Sequence, residues 1–444
     1  MKTTIDDRRS TIDHGRQAAL EHAPMYDTIF KSATTVVDGE VVVRDVGVTS
    51  GRIEKIGTME KESARREVPC EGRLLMPGAI DMHAHLREPG GTHKEDISSG
   101  TAAAVAAGVT TVLDMPNTNP PTTTVSALRE KTAIAGRTAH CRIGFFMALT
   151  ARNVDQLEQA ASIPGFAGVK VYLGSTTGNI LLTDVDPLET ALARVPALFA
   201  FHAELESVLQ RHKDDVALPD ARSHHVLRPP EAVTEGTRLV LEHASRPGLR
   251  LHLCHVSTAG ELEVLDDTPT ASEVTCEVTP HHLRFTHEDA ARLDNRIKVN
   301  PPVQGKADRK ALRAALADGR IQAVATDHAP HTLEEKNRPY PSAPSGVPGL
   351  DIMVPWVLRL VQEGKLTIQR AFEVLCSNPA RIAGMDDRGR IEEGLDADLA
   401  LWDLDSTWKV ERSDINSRCG WSPFEGDTLA ARPLGVWVQG ERRV

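Results

Sequence analysis

Two histidines separated by one residue, His83 and His85, lie directly after the apolar run of residues 74–80. Because side chains alternate between faces along a strand, both imidazoles would point the same way and could bind one metal ion at a strand end. A lone His-x-His pair is more often a pair of surface residues than a metal site. The pair therefore predicts a metal centre only together with ligands from elsewhere in the chain.

Four further residues with metal-binding side chains lie on or just after separate apolar runs, and they are Lys170, His202, His255 and Asp327. Taken alone, His202 or His255 is better explained as a core histidine with satisfied hydrogen bonds, and Asp327 equally well as the N-cap of a helix. Six such residues at the ends of successive strands are hard to explain in that way. Together they predict a metal site at one end of a sheet.

Lys170 lies inside the apolar run of residues 169–172, where burying an ammonium group is costly. One explanation is an ion pair with a buried carboxylate. The other is that burial favours the neutral amine, which reacts with carbon dioxide to form a carbamate whose two oxygens bridge two metal ions. A hydroxide between two divalent ions is a strong nucleophile at neutral pH, and Asp327 would then be both a metal ligand and a proton shuttle.

The type of ligand limits which metals fit the predicted site. Histidine and carboxylate ligands suit zinc, with cobalt or manganese as substitutes. Cys254 or Glu277 could add a further ligand near His255, although a packed small residue is the default explanation for Cys254. The sequence thus predicts two divalent ions and leaves a further one open.

The elements that would position these residues are short apolar strands that alternate with helical segments, for example 153–161 and 230–244. Continuous apolar strands in such an alternation imply a buried parallel sheet. The distance along the chain from His83 to Asp327 matches the roughly 250 residues of a (β/α)8 TIM-type barrel. Barrel enzymes carry their active sites at the carboxyl ends of the strands, where the candidate ligands lie.

Both ends of the chain have the pattern of short strands and turns, with strands predicted at 34–37, 41–43 and 53–56 and again at 399–402 and 436–438. We therefore predict a small β-sandwich domain that is formed by both chain ends. The predicted boundaries are a polar N-terminal extension at 1–24, the small β-domain at 25–76 and 387–444, and the barrel at 77–386.

Composition excludes several other classes of protein. The chain has 444 residues, a net charge of −11 and six scattered cysteines without the spacing of a disulfide framework. We find neither a secretory signal nor an apolar run of the roughly 20 residues that span a bilayer. The sequence thus predicts a cytoplasmic enzyme that acts on a small molecule and binds neither nucleic acid nor membrane.

Three motifs in this frame resemble the signatures of the dihydroorotase family of the amidohydrolase superfamily. They are residues 81–90 (DMHAHLREPG), 115–118 (MPNT) and 325–336 (ATDHAPHTLEEK). The third motif is less similar to the corresponding segments of hydantoinases and allantoinases. The resemblance extends from about Gly51 to residues 422–426, which is nearly the whole chain.

The resemblance implies a role for each candidate residue. One metal would be bound by His83, His85, Lys170 and Asp327, and the other by Lys170, His202 and His255. The substrate carboxylate would be held by Arg87, Asn117 and His331. The pyrimidine ring would be contacted by Asn300 and by the backbone of Ser345 and Gly346, although Asn300 can also be explained as a turn residue before two prolines.

The implied activity is the reversible cyclisation of N-carbamoyl-L-aspartate to L-dihydroorotate and water, in de novo pyrimidine biosynthesis. A metal-bridged hydroxide would be the nucleophile of ring opening, and Asp327 the general acid and base. The family habit is a homodimer. Some bacterial members have an aspartate in place of Lys170, and some work only with aspartate transcarbamoylase, so association with that enzyme is open.

Two alternatives remain at this point. Another cyclic-amide hydrolase, a hydantoinase (dihydropyrimidinase) or an allantoinase, would act on substrates without a ring carboxylate, and Arg87 argues against it. An inactive relative that serves as a scaffold would be expected to have a broken ligand set, whereas this set is complete.

Residues 174–178 are predicted to form a mobile loop over the site.

Overall fold

The computed structural model describes residues 25–176, 180–182 and 184–444. The predicted polar extension at 1–24 lies outside these residues, as do Thr177 and Gly178 of the predicted loop. Within the described part, the chain folds into an α/β barrel and a smaller β-sheet domain.

The strands of the described chain are β1 (Tyr26–Val37), β2 (Glu40–Thr49), β3 (Arg52–Gly57), β4 (Ala64–Pro69), β5 (Leu74–Pro77), β6 (Ala79–Ala84), β7 (Val109–Asp114), β8 (Arg142–Ala148), β9 (Phe166–Tyr172), β10 (Leu198–His202), β11 (Arg250–Leu253), β12 (Glu273–Val278), β13 (Ala323–Val324), β14 (Leu399–Trp402), β15 (Thr407–Lys409), β16 (Thr428–Ala430), β17 (Pro433–Val438) and β18 (Glu441–Arg442).

The α-helices of the same part are α1 (Ile97–Ala106), α2 (Val125–Thr138), α3 (Val154–Ala160), α4 (Asp186–Arg194), α5 (Glu206–His212), α6 (His224–Leu227), α7 (Pro230–His243), α8 (Ala259–Asp267), α9 (Pro280–Arg284), α10 (Ala290–Leu293), α11 (Lys306–Asp318), α12 (Leu333–Lys336), α13 (Met353–Gln362), α14 (Ile368–Phe372) and α15 (Asn378–Ala383). Short 3-10 turns and one π-helical turn (Glu373–Ser377) connect some of them.

Strands β6 to β13 lie side by side in chain order and form one parallel sheet. The sheet closes where Ala84 pairs in parallel with His328, and the His85 amide donates to the His328 carbonyl at 2.7 Å. Strands β6, β7 and β10 are buried along their whole length, because the sheet has helices on one face and the packed barrel interior on the other. The predicted (β/α)8 barrel is confirmed.

Two of the functional strands are shorter than their apolar runs suggest. β11 ends at Leu253 and β13 at Val324, so His255 and Asp327 lie just after their strands, which the sequence prediction of a place on or just after each apolar run includes. Both residues have positive φ, 41° and 44°, and this backbone conformation cannot continue a strand. Apolar periodicity cannot detect such a bend, since it depends on the contacts of the backbone.

The small domain is a sheet with the order β18-β17-β14-β5-β1-β2-β3, and β4 pairs with β1. Its core combines side chains from both ends of the chain, such as Phe30 and Leu75 with Leu401 and Trp437. Both chain ends thus form this domain, as the sequence predicts, while the exact domain limits remain a prediction. Arg142 on β8 ties the sheet to the barrel by donating to Asp398 at 2.8 Å.

None of the helices in the described residues combines the length and the apolar character that crossing a membrane requires.

Candidate active site

A pocket lies at the carboxyl ends of the barrel strands. Its lining consists of His83, His85, Arg87, Asn117, Lys170, Tyr172, Thr176, His202, His255, Asn300, Asp327, Ala329, Ser345 and Gly346. Every site residue named from the sequence is in this lining except His331, which lies behind it in contact with Arg87. The structure thus brings residues from distant parts of the chain into one place.

His83 and His85 meet Asp327 at the mouth of the barrel. Asp327 Oδ1 lies 3.0 Å from His85 Nε2 and 3.4 Å from His83 Nε2. The other ring nitrogen of His83, Nδ1, lies 2.6 Å from Glu277 Oε1, which accepts its proton, so Nε2 is the nitrogen that faces Asp327. Ligand atoms of the three residues lie within 4.8 Å of one another, so the group could hold a metal ion.

The His85 ring is oriented from behind by Asn117, whose Oδ1 lies 2.5 Å from Nδ1. With its proton on Nδ1, donated to this amide oxygen, the ring would present the Nε2 lone pair to a metal ion beside Asp327. Burial lowers the pKa of His85 to about 4. A neutral imidazole is the form that binds metals.

A second group of donors contains His202 and His255. His202 Nδ1 lies 3.0 Å from His255 Nε2, and His202 Nε2 lies 3.0 Å from Glu204 Oε2 on its far side. Glu204 is fully buried and accepts from Arg228 Nε at 2.9 Å, so its charge is balanced. Burial lowers the pKa of His255 well below its usual value, with the His202 and His83 rings adding to the effect. Two neutral imidazole nitrogens that face each other suit a metal ion between them.

Lys170 is 1% exposed, and its ammonium donates to Cys254 Sγ at 2.7 Å and lies 5.5 Å from the centre of the Tyr172 ring. In the part of the chain that the structure describes, no carboxylate lies within ion-pair distance of it. The ion-pair explanation for this lysine therefore finds no partner there. A carbamate would place its oxygens in the pocket that both histidine groups line.

Cys254 and Glu277 belong to a third arrangement of donors. Together with His83 they form a group of buried ligand atoms within 4.8 Å that could hold a further metal ion. Glu277 already accepts from His83 and lies 3.1 Å from His252 Nε2. Although burial alone would raise the pKa of Glu277, the His83 and His252 imidazoles lower it well below its usual value. A further ion would compete with these contacts.

The backbone is strained at three positions of the pocket, because Arg87, His255 and Asp327 have φ values of 61°, 41° and 44°. Residues other than glycine adopt this region rarely, and they do so mostly at sites that need a particular side-chain direction. Neighbouring contacts hold the turn at Asp327, where Thr326 donates to buried Asp81 through its backbone at 3.0 Å and through its hydroxyl. The same strain therefore directs these three side chains into the pocket.

Arg87 is a buried cation at the edge of the pocket, 6% exposed. Its Nε donates to the Pro330 carbonyl at 3.3 Å, and a terminal nitrogen lies 3.3 Å from His331 Nε2. No carboxylate of the described residues pairs with it. A buried guanidinium that lines a pocket without a carboxylate partner is a site for an anionic group.

Lys94 sets the tautomer of His331, since its ammonium lies 3.1 Å from Nδ1 and can only donate. The ring proton is therefore on Nε2, which lies 3.1 Å from the Ser345 carbonyl. Burial lowers the pKa of His331 to about 3, so the ring is neutral. The one N–H group of His331 is thus directed at the Ser345 carbonyl, and the ring packs beside Arg87.

Asn300 lines the pocket opposite these groups, and its Oδ1 lies 3.0 Å from His224 Nε2. The contact with His224 gives this amide a fixed direction, which a simple turn residue before proline does not need. Ser345 and Gly346 complete this side with their backbone. Gly346 has a φ of 130°, and a Cβ there would lie 2.5 Å from the Ala329 carbonyl oxygen.

Several residues of the site were not foreseen from the sequence. Tyr172 lines the pocket, and its position two residues after Lys170 on the same strand was a usable signal. Glu204 likewise lies two residues after His202, just beyond the end of β10. Arg228 reaches Glu204 from the segment between α6 and α7, and no local pattern marks it.

Known proteins share the sequence pattern and the fold of this chain. Residues 72–223 match the family model described as dihydro-orotase-like, and residues 224–443 match that of the amidohydrolase family. A curated dihydroorotase of Halobacterium salinarum is 36% identical over 91% of this chain and 94% of its own length. One of Bacillus cytotoxicus is 32% identical over 91% and 95%.

A solved structure of an L-hydantoinase (dihydropyrimidinase) from Arthrobacter aurescens superposes with a TM-score of 0.89, at 27% identity, over 94% of this chain and 96% of that one. Because the dihydroorotase relatives exceed 30% identity over nine-tenths of the sequence, this chain belongs to the dihydroorotase family of amidohydrolases.

Proposed function

We propose that this protein is a dihydroorotase that reversibly cyclises N-carbamoyl-L-aspartate to L-dihydroorotate and water, a step of de novo pyrimidine biosynthesis. The relatives named above carry that activity in their names. The observation that carries the proposal is Arg87, a buried cation that lines the pocket without a carboxylate partner among the described residues. Both substrate and product have a carboxylate that fits it.

We propose that the pocket binds two divalent metal ions, most suitably zinc. One would be bound by His83, His85 and Asp327 and the other by His202 and His255, with carbamoylated Lys170 between them. When bound, such ions polarise a carbonyl and make water acidic enough to supply a nucleophile at neutral pH. The neutral imidazole of His85 and the facing nitrogens of His202 and His255 fit this role.

The residues of the chain would then have separate roles in ring opening. Arg87, Asn117 and His331 hold the ring carboxylate, while Asn300, Ser345 and Gly346 contact the ring. Asp327 accepts a proton from the attacking water and delivers it to the ring nitrogen as the amide carbon–nitrogen bond breaks. In ring closure Asp327 starts protonated, and the same groups act in the reverse order.

A hydantoinase activity is the closest alternative, since the superposed structure is named for it. The rings of hydantoin and dihydrouracil carry no carboxylate, so a buried arginine in their pocket would lose its water shell without an ionic partner. Arg87 therefore favours dihydroorotate.

We also propose a homodimer, an association with aspartate transcarbamoylase and a cytoplasmic location.

The direct test is the synthetic reaction. Purified protein that has been loaded with zinc in the presence of bicarbonate is given N-carbamoyl-L-aspartate, and the appearance of dihydroorotate is followed. We expect cyclisation that requires the metal. Protein with two metals per chain that forms no dihydroorotate, and that opens hydantoin instead, would refute the proposal.

A further inference from the structure

The segment 341–346 carries Ser345 and Gly346 on one wall of the pocket, and it forms neither helix nor strand. Pro341 and Pro344 contribute no N–H group, so the segment cannot form a regular ladder of hydrogen bonds. Ala343 and Gly346 of this segment are nevertheless buried, and a buried carbonyl needs a donor.

Two buried lysines supply those donors. Lys336, 1% exposed, donates to the carbonyls of Pro344 at 2.8 Å and Gly346 at 2.9 Å. Lys298, 7% exposed, donates to those of Pro341 at 2.8 Å and Ala343 at 2.6 Å. The two lysines, here called the lysine pair, thus hold four carbonyls of one short segment.

The lysine pair also joins this segment to the irregular stretch that carries Asn300. Lys336 donates to the Lys298 carbonyl at 3.1 Å, and the Gly346 amide donates to the same oxygen at 2.9 Å. Asn300 lies two residues beyond Lys298. The position of the Ser345–Gly346 backbone relative to Asn300 is therefore fixed by a shared acceptor.

Neither ammonium forms an ion pair in the described chain, so the hydrogen bonds to the carbonyls must offset the cost of burying two charges. Burial and the neighbouring Lys298 charge lower the pKa of Lys336. Even so, only the protonated amine has three N–H groups for the three carbonyls that surround it. A pair of apolar residues would fill the same volume but would leave five hydrogen bonds unmade.

We propose that Lys336 and Lys298 are positioning residues that hold the ring-binding wall, Asn300 with Ser345 and Gly346, at the spacing that the substrate ring requires. The inference rests on the proposed function of that wall. It assigns a role to the end of the 325–336 motif, which neither metal binding nor proton transfer uses.

The test combines Lys336→Met, which keeps the length of the side chain and removes its donors, with Lys298→Met. Lys31→Met is the control for loss of a lysine–carbonyl hydrogen bond outside the barrel, because Lys31 donates to the Met59 carbonyl in the small β-domain, where it also pairs with Asp45 at 3.3 Å. Steady-state kinetics with L-dihydroorotate, metal content and hydrogen exchange of the peptide 341–349 are measured for each protein.

We expect KM to rise about tenfold in Lys336→Met with kcat changed much less, because the wall binds substrate and transition state alike. Metal content should stay at the wild-type value, and the amides of 341–349 should exchange faster than in the control. Lys298→Met should show a smaller change of the same kind, and it carries the test if Lys336→Met does not fold.

An unchanged KM in a folded variant, or unchanged exchange in the segment, would overturn the inference. A rise in KM that accompanies loss of metal would overturn it as well, since the substitution would then act on the proposed metal ligands. Hydrogen exchange reads the segment without any substrate. If the wild-type protein does not turn over dihydroorotate, the proposed function fails, whereas the exchange result still decides whether the lysine pair holds the wall.

Discussion

The two walls of the pocket are held by different kinds of contact. The ligand wall lies at strand ends, and its side chains are fixed by other side chains such as Glu277, Glu204 and Asn117. It is made of the proposed metal ligands His83, His85, Lys170, His202, His255 and Asp327. The substrate wall, made of Arg87, Asn300, His331, Ser345 and Gly346, lies on loops, and backbone carbonyls with two lysines hold it.

This difference fits what each wall must do. Metal ligands need a fixed tautomer and direction, which a carboxylate or amide behind the ring supplies. A wall that recognises a ring needs a backbone surface of defined shape, and loops can provide it only if their carbonyls are satisfied. Changes in the ligand wall should therefore affect metal content and kcat, and changes in the substrate wall should affect KM.

The largest effect is expected for Asp327→Asn, because the amide can neither accept the proton of the attacking water nor return it. We expect kcat to fall by about 100-fold to 10,000-fold, the range for loss of a general acid or base. Asp45→Asn in the small domain is the control for a changed carboxylate outside the pocket. Asp327→Asn with nearly normal kcat would show that another group moves the proton.

Replacement of Lys170 should break the ligand wall itself. We expect Lys170→Ala to bind fewer than two metal ions per chain and to lose most of its activity, because the proposed bridging carbamate is gone. Elemental analysis of dialysed protein measures this directly. A variant that retains two ions would rule the carbamate out as their bridge.

Changes in the substrate wall should affect KM. Arg87→Met removes the charge that faces the substrate carboxylate, and loss of a buried charge partner should raise KM for dihydroorotate by about 100-fold. Metal content should stay unchanged, since Arg87 contacts Pro330 and His331 rather than a candidate ligand. An unchanged KM would remove Arg87 from carboxylate binding.

The smallest effect is expected for a change in Glu204, which lies behind the ligand wall. Glu204→Gln weakens the contact that orients His202, and loss of such a contact should lower metal affinity by about 10-fold to 100-fold. Glu206→Gln is the control, because Glu206 accepts from the Ser175 amide and does not contact His202. Equal metal affinity in both variants would show that Glu204 does not orient the ligand.

The same contrast explains what the sequence could predict. The barrel and the ligand wall follow from local patterns, since His-x-His after an apolar run and polar residues at strand ends are visible in a single sequence. The substrate wall was reached only through family resemblance, because Arg87, Asn300 and His331 approach one another through loops that no periodicity describes. Neither local patterns nor the family resemblance indicated Arg228 or the lysine pair, because their partners are backbone groups or distant side chains.

The most direct test of the account is substrate choice by the zinc-loaded protein, given equal amounts of L-dihydroorotate, dihydrouracil, hydantoin and allantoin. We predict that the wild-type protein opens only dihydroorotate, and that Arg87→Met loses most of this activity while keeping its metal. Turnover of a ring without a carboxylate, with dihydroorotate left intact, would contradict the central claim that Arg87 selects the substrate.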